Sequence, residues 1–205
     1  MRISGVEVIQ GVIRVPSFGA ITGDLELAGA IPAGVATIDD QMAVYVETVT
    51  SYAERAHVSL IGGLGFLRTA VPAQNFRNAT GSQVLSAILG GETRSHRTDP
   101  AVLATLLPFL SVRAGTVGEQ LTSLANALEV DWRTLADSTI WFGTGQPLGV
   151  GGAEETLLDW KPQYGEAIYT ADSLWCVPGQ DLSVGTAGRV VYDIGRQIRA
   201  TVWTE

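Results

Sequence analysis

The sequence predicts an α+β fold that is mainly β: one or more small antiparallel β-barrels with an α+β segment inserted between the β parts. Three observations lead there. The chain has 24 glycines in 205 residues, most of them between short alternating apolar runs, as short strands and tight turns require. The apolar spacing changes at about residue 79 from alternation to a helical period. Residues 111–143 then read as one unit, a helix followed by two tryptophan-bearing strands.

Taken in order, residues 1–72 read as β throughout. Val6, Val8 and Ile9, then Val12, Ile13 and Val15, form β-branched runs that Gly11 is expected to break. Pro16 and Gly19 mark a turn, and Asp24 and Glu26 alternate with Leu25 and Leu27. Asp39-Asp40 is a turn before the long strand of residues 42–49. A break at residues 52–56 precedes the strand of residues 57–61. From Asn78 to Ser82 lie N-cap candidates for a helix carrying Val84, Leu85, Ile88 and Leu89 and ending at Gly90-Gly91. Residues 92–100 read as a polar loop, and residues 103–110 as a short helix or a buried strand. Leu121, Leu124, Ala125 and Leu128 share one helical face. Trp132 and Trp141 then flank the acidic turn Asp137-Ser138 of a hairpin. Residues 143–152, GTGQPLGVGG, form a glycine-rich linker. Strands are expected at residues 167–169, 174–177, 188–192 and 197–203. This divides the chain into an N-terminal barrel part (1–75), an α+β segment (76–145) and C-terminal strands (146–205) that complete the first barrel or form a second.

Composition narrows the function. The net charge is −8 and the pI about 4.7, a balance poorly suited to wrapping duplex DNA, whose phosphates need clustered Lys and Arg. Charged residues are only 17% and mean hydropathy is +0.21, which suggests apolar surface covered by partners. One cysteine, Cys176, excludes an intrachain disulfide. The start lacks the basic and apolar regions of a signal peptide, and the apolar stretch of residues 101–110 is too short to span a bilayer. The expectation is a chain made in the cytosol without membrane insertion.

The candidate chemistry is sparse, and no catalytic, cofactor-binding or metal-ligating residue is assigned. His57 and His96 stand 39 residues apart and, with Cys176, lack the paired spacing of a zinc site. No Gly-x-Ser-x-Gly elbow occurs. The run from Gly143 to Gly149 contains Pro147 and opens no helix, so it is not a phosphate loop. Asp24 with Glu26, and Glu154 with Glu155, read as solvated acids rather than as opposed catalytic carboxyls. Asn78-Ala79-Thr80 matches a glycosylation sequon without a secretory context. The single lysine, Lys161, lies beside Trp160 in an interfacial stretch.

With these residues in view, the opening VEVIQGVIRVPSFGAITGDLEL resembles the first β-barrel of hub proteins of tailed bacteriophages, the baseplate hub and late control protein D group. The helix and tryptophan hairpin of residues 121–141 are similar to that family's helix and W-x-(V/L)…D-x-T-(V/I)-W hairpin. The resemblance covers residues 4–142 and, more loosely, the C-terminal strands. It implies a non-enzymatic virion protein assembled in the host cytoplasm. Its partners would be further copies in a ring, threefold first and sixfold next, together with the tail tube and the spike or tail tip. Two alternatives stand beside it. One is another virion assembly protein, such as a connector or decoration protein. The other is a LysM-like peptidoglycan-binding module, laid on Val112, Gly115, Leu121, Leu124, Ala125, Val130 and Leu135. The LysM-like pattern requires a helix through residues 130–136.

Overall fold

A six-stranded antiparallel barrel closes within the first 61 residues. The computed structural model describes residues 1–90, 96–144, 155–174 and 176–204. The barrel strands are β1 (Arg2–Ile3), β2 (Val6–Val15), β3 (Thr22–Leu27), β4 (Gly34–Ile38), β5 (Met42–Tyr52) and β6 (Arg55–Ile61). They pair in the order β1-β4-β5-β6-β3-β2, and β2 returns to β1. Ile3 pairs with both Val6 and Ile38, so this short strand is the clasp. Alternation supplies the interior: Met42, Val44 and Val46 of β5 point inward beside Ile3, Leu25, Ile38 and Val58.

Gly11 does not break β2. It stands at φ +152°, where a Cβ would collide with the Asp24 carbonyl oxygen and lie 2.8 Å from Leu25 Cα. The glycine marks close backbone approach inside one continuous ten-residue strand. The next break is also shorter than the sequence suggested: Tyr52 and Arg55 pair, leaving only Ala53 and Glu54 in the turn.

A 3-10 turn (Gly63–Arg68) leads to β7 (Ala70–Val71), β8 (Gln74–Thr80) and α1 (Gly81–Ile88). Thr80 caps α1: its hydroxyl accepts from the Gln83 amide while the Gln83 side chain accepts from the Thr80 amide. Next come β9 (His96–Thr98), α2 (Pro100–Ala104), β10 (Leu106–Val112), β11 (Gly115–Thr116) and α3 (Val117–Leu128). The hairpin strands are β12 (Asp131–Thr134) and β13 (Ile140–Gly143). Residues 103–110 thus split between the end of a helix and a strand. The expected polar loop contains β9, paired in parallel with β13. Strand β8, which the sequence reading left unassigned, pairs antiparallel with β10, and β7 with β11, to make a long two-stranded ribbon. The helices, ribbon and hairpin share a core of Val84, Leu85, Ile88, Leu121, Leu124, Trp132 and Phe142.

The last strands are β14 (Leu157–Lys161), β15 (Glu166–Ala171), β16 (Asp181–Leu182), β17 (Gly185–Ile194) and β18 (Ile198–Thr204), with a 3-10 turn at Pro162–Tyr164. Residues Val190 to Ile194 of β17 pair with β2 over Val15 to Gly11, and the sheet continues as β17-β18-β15-β14. Strand β2 therefore belongs to the barrel and to the C-terminal sheet. One apolar cluster runs from Ile3 and Leu25 through Ile13 and Val15 to Tyr169, Val190, Tyr192 and Val202. The strand expected at residues 174–177 is not formed: Leu174, Cys176 and Val177 lie outside strands, and Trp175 is outside the described residues. Conversely, residues 157–161 form the strand β14. Among the described residues the fold is mainly β with three α-helices, the α+β, mainly β class that the sequence predicted.

Candidate assembly surfaces

Among the described residues, the chemistry-bearing side chains are distributed rather than convergent. His57 is exposed on β6, opposite Glu26 of β3. His96 holds a position in β9, opposite Ile140. Cys176 is buried, and its backbone amide and carbonyl are both held by the Tyr192 hydroxyl at 2.7 Å. Burial drives the Tyr192 phenol well above its ordinary pKa. Among the described residues no three His, Cys, Asp or Glu side chains gather as metal ligands would. Glu154 and most of the glycine-rich linker lie outside the described residues.

Glu26 corrects the sequence reading. It is no solvated acid but a buried acceptor on the barrel wall. Arg55 (2.7 Å) and the Tyr52 hydroxyl (2.8 Å) donate to one carboxylate oxygen, and Gln10 (2.6 Å) to the other. These donors, Arg55 first, hold its carboxyl below the ordinary carboxylate value. Asp24, on the same strand face, is exposed beside Ser59 and Arg14.

The tryptophan hairpin fixes the middle segment to the barrel. Trp132 is buried, donates through Nε1 to Thr122 of α3 at 3.0 Å, and meets Phe18 edge-on at 6.1 Å. Gly19 donates to the Trp132 carbonyl and accepts from the Thr134 amide, while Thr134 Oγ1 accepts from the Ile21 amide at 2.8 Å. Ala43 donates to the Ala136 carbonyl, and Ser138 Oγ to the Ala43 carbonyl. Between these contacts lies Arg133, fully buried, its guanidinium 5.4 Å from the Trp141 ring centre and donating to the Pro178 carbonyl at 3.2 Å. One arginine thus ties the hairpin to the C-terminal part. Sequence reasoning missed Arg133. Its one available signal is alternation, which puts Arg133 on the opposite face from Trp132 and Thr134 and gives no hint that both faces are covered.

Among the described residues, exposed apolar side chains include those of the ribbon and of the C-terminal sheet edge. On the ribbon, Leu106 is 57% exposed and Phe109 60%. Phe109 stands opposite exposed Arg77, and Arg113 is exposed near the ribbon's far end. Gln120 of α3 anchors that end by donating to the Pro72 and Arg113 carbonyls at 2.9 and 3.0 Å. On the C-terminal sheet, β14 pairs with β15 and, among the described residues, has no strand on its other side. There Leu157 is 39% and Leu158 50% exposed.

No protein-family model matches the chain, and no curated protein matches it. Solved structures do. The 43 kDa tail protein of prophage MuSo2 from Shewanella oneidensis matches with a TM-score of 0.66 at 12% identity, over 98% of this chain and 95% of its own. The tail protein from Neisseria meningitidis MC58 matches at 0.66 and 11% identity, over 96% and 91%. An E. coli component of the type VI secretion system, itself structurally similar to the T4 bacteriophage tail proteins gp27 and gp5, matches at 0.64 and 12% identity, over 100% and 76%. At these identities the likeness is one of fold.

Proposed function

We propose that this chain is a structural, non-enzymatic subunit of a phage tail or tail-like particle, a ring-forming hub or adaptor between the tail tube and the tail tip or spike. The observation that supports it most is that the likeness to two tail proteins runs nearly end to end in both chains, through barrel, hairpin and C-terminal sheet alike. A common small barrel would match locally. Within this reading the three parts (1–75, 76–145 and 146–205) form one rigid wall, because β2 is common to two sheets and Arg133 bridges to the third part. Further copies of the chain close the ring, threefold first and sixfold next. The tube and the spike or tip cover its ends, with no sequence-specific nucleic acid and no membrane insertion. Among the described residues no helix is long and apolar enough to cross a membrane. The LysM-like alternative is not kept, because residues 131–134 form a strand where that module needs a helix. The test is mass spectrometry of purified particles. The chain is expected among the tail proteins in a stoichiometry matching a ring, and particles without it would end this reading.

A further inference from the structure

We infer that the arginine-bearing ribbon and the acidic edge strand β14 are the two halves of one head-to-tail contact between copies of this chain, an inference that rests on the ring-forming reading. The ribbon is unusual in its charge. Residues 70–80 and 106–116 contain Arg77 and Arg113 and no carboxylate, in a chain of net charge −8. Of the acids that flank it in sequence, Glu119 accepts from the Thr116 amide at 2.7 Å and Asp99 from the Ala101 amide at 2.9 Å.

The ribbon's backbone explains why its apolar side chains face water. Asn78 takes φ +47° beside the register position of Pro108. On one side of this kink Leu107 and Ala79 are buried. Beyond it Val112 is buried, and Phe76 and Leu110 pack on the core, so the inward face has switched. Phe109 and Arg77, directly opposite each other, are thereby turned outward, next to Pro108 and Leu106.

The edge strand is the complement. Leu157 and Leu158 are exposed between Glu155 and Asp159. The one cation of the strand, Lys161, is held by Glu166 at 2.6 Å and lies 3.8 Å from Asp159. An exposed apolar edge with free backbone groups invites pairing unless charge or proline opposes it. Ribbon against ribbon would place Arg77 and Arg113 against like charges, and edge against edge would do the same with Glu155 and Asp159. Both twofold pairings are disfavoured by charge, while ribbon against edge matches apolar to apolar and arginine to carboxylate. A contact between unlike surfaces repeats from copy to copy, and closes as a ring when the rotation between copies divides a full turn.

The test uses the full-length chain in sedimentation at moderate salt, with thermal melts as a folding control. A ribbon variant carries Arg77→Ser and Phe109→Ser, and an edge variant carries Leu158→Ser and Asp159→Ser, so that the two altered halves gain no charge attraction for each other. The wild type is expected to sediment as a closed oligomer that dissociates as salt rises, and each variant alone as a monomer. An equal mixture of the variants should give dimers and nothing larger, because the mixture retains one intact half from each. Should a double variant melt abnormally, Arg77→Glu and Asp159→Arg alone are expected to weaken self-association roughly tenfold each, and their mixture to restore it. A wild-type chain that stays monomeric at every concentration, a variant that assembles as the wild type does, or a mixture that stays monomeric would overturn this contact. If particles contain the chain under any of these results, the tail reading stands and the contact alone falls.

Discussion

Arg133, Trp132 and Tyr192 show what single side chains do here. Trp132 was legible as a hairpin aromatic from its spacing, and the structure gives it three neighbours at once: Thr122 on α3, Phe18 on the barrel and Phe142 across the hairpin. Trp132→Ala should cost about 3–5 kcal/mol, since deleting a buried indole leaves a cavity in addition to the lost transfer energy. Denaturant unfolding of the full chain measures this, and a loss below 1 kcal/mol would mean that the hairpin is not part of the cooperative core. Tyr192 was legible only as a strand residue. Its hydroxyl is the partner of the Cys176 amide and carbonyl, deep in the C-terminal part. Tyr192→Phe should therefore cost about 1–3 kcal/mol with little change in packed volume, read in the same unfolding experiment. Arg133 was not legible, because nothing local to a strand shows which other segments will cover it.

At the scale of elements, legibility followed the strength of periodicity. The helices α1 and α3 carry apolar stripes and cap pairs, Thr80 with Gln83 and Thr116 with Glu119, and both were found. The ribbon strand QNFRNAT was not, because it buries Ala79 on one face and packs Phe76 from the other, so its alternation is interrupted at Asn78. The spacing around Gly11 was misread for a related reason. A glycine inside a strand signals a turn or a close approach, and only the neighbouring strand decides between them. Glu26 looked like a surface acid because alternation reports the face and not the cover. Its consequence is a pH dependence. Hydrogen bonds from Arg55, Tyr52 and Gln10 lower the Glu26 carboxyl in the folded chain, and the Thr116 backbone and hydroxyl lower that of Glu119, both from an ordinary 4.5. A depressed folded value means that the folded state favours the charged form. The stability this lends is complete above the ordinary value and is lost as pH falls through the depressed one. Thermal midpoints should drop on acidification through the carboxylate range. Glu26→Gln should lower the midpoint at neutral pH and flatten that acid slope. An unchanged slope in the variant would remove Glu26 as a source of the effect.

For the molecule as a whole, the argument turns on where reactive groups are placed relative to one another. A catalytic centre needs a nucleophile or an acid/base pair in mutual reach, with ionisation tuned by burial or by a charged partner. Here the shifted ionisations of Glu26, Glu119 and Tyr192 have structural explanations: Glu26 completes the barrel wall, Glu119 caps α3, and Tyr192 bridges the Cys176 backbone. Cys176 is buried under that bridge, while His57 stands exposed on the barrel. His96 sits in a three-residue strand tied to the hairpin. The polar contacts that cross between parts, Thr134 to Ile21, Ser138 to Ala43 and Arg133 to Pro178, join barrel, hairpin and C-terminal sheet. The corresponding prediction is that His57→Ala, His96→Ala and Cys176→Ser leave particle infectivity near wild type, apart from a folding cost at Cys176. Plaque counts normalised to assembled particles separate the two effects, since a folding defect lowers particle number and a chemical defect lowers infectivity per particle. A histidine substitution that left particles assembled in normal number yet abolished infection would place a chemical step on this chain.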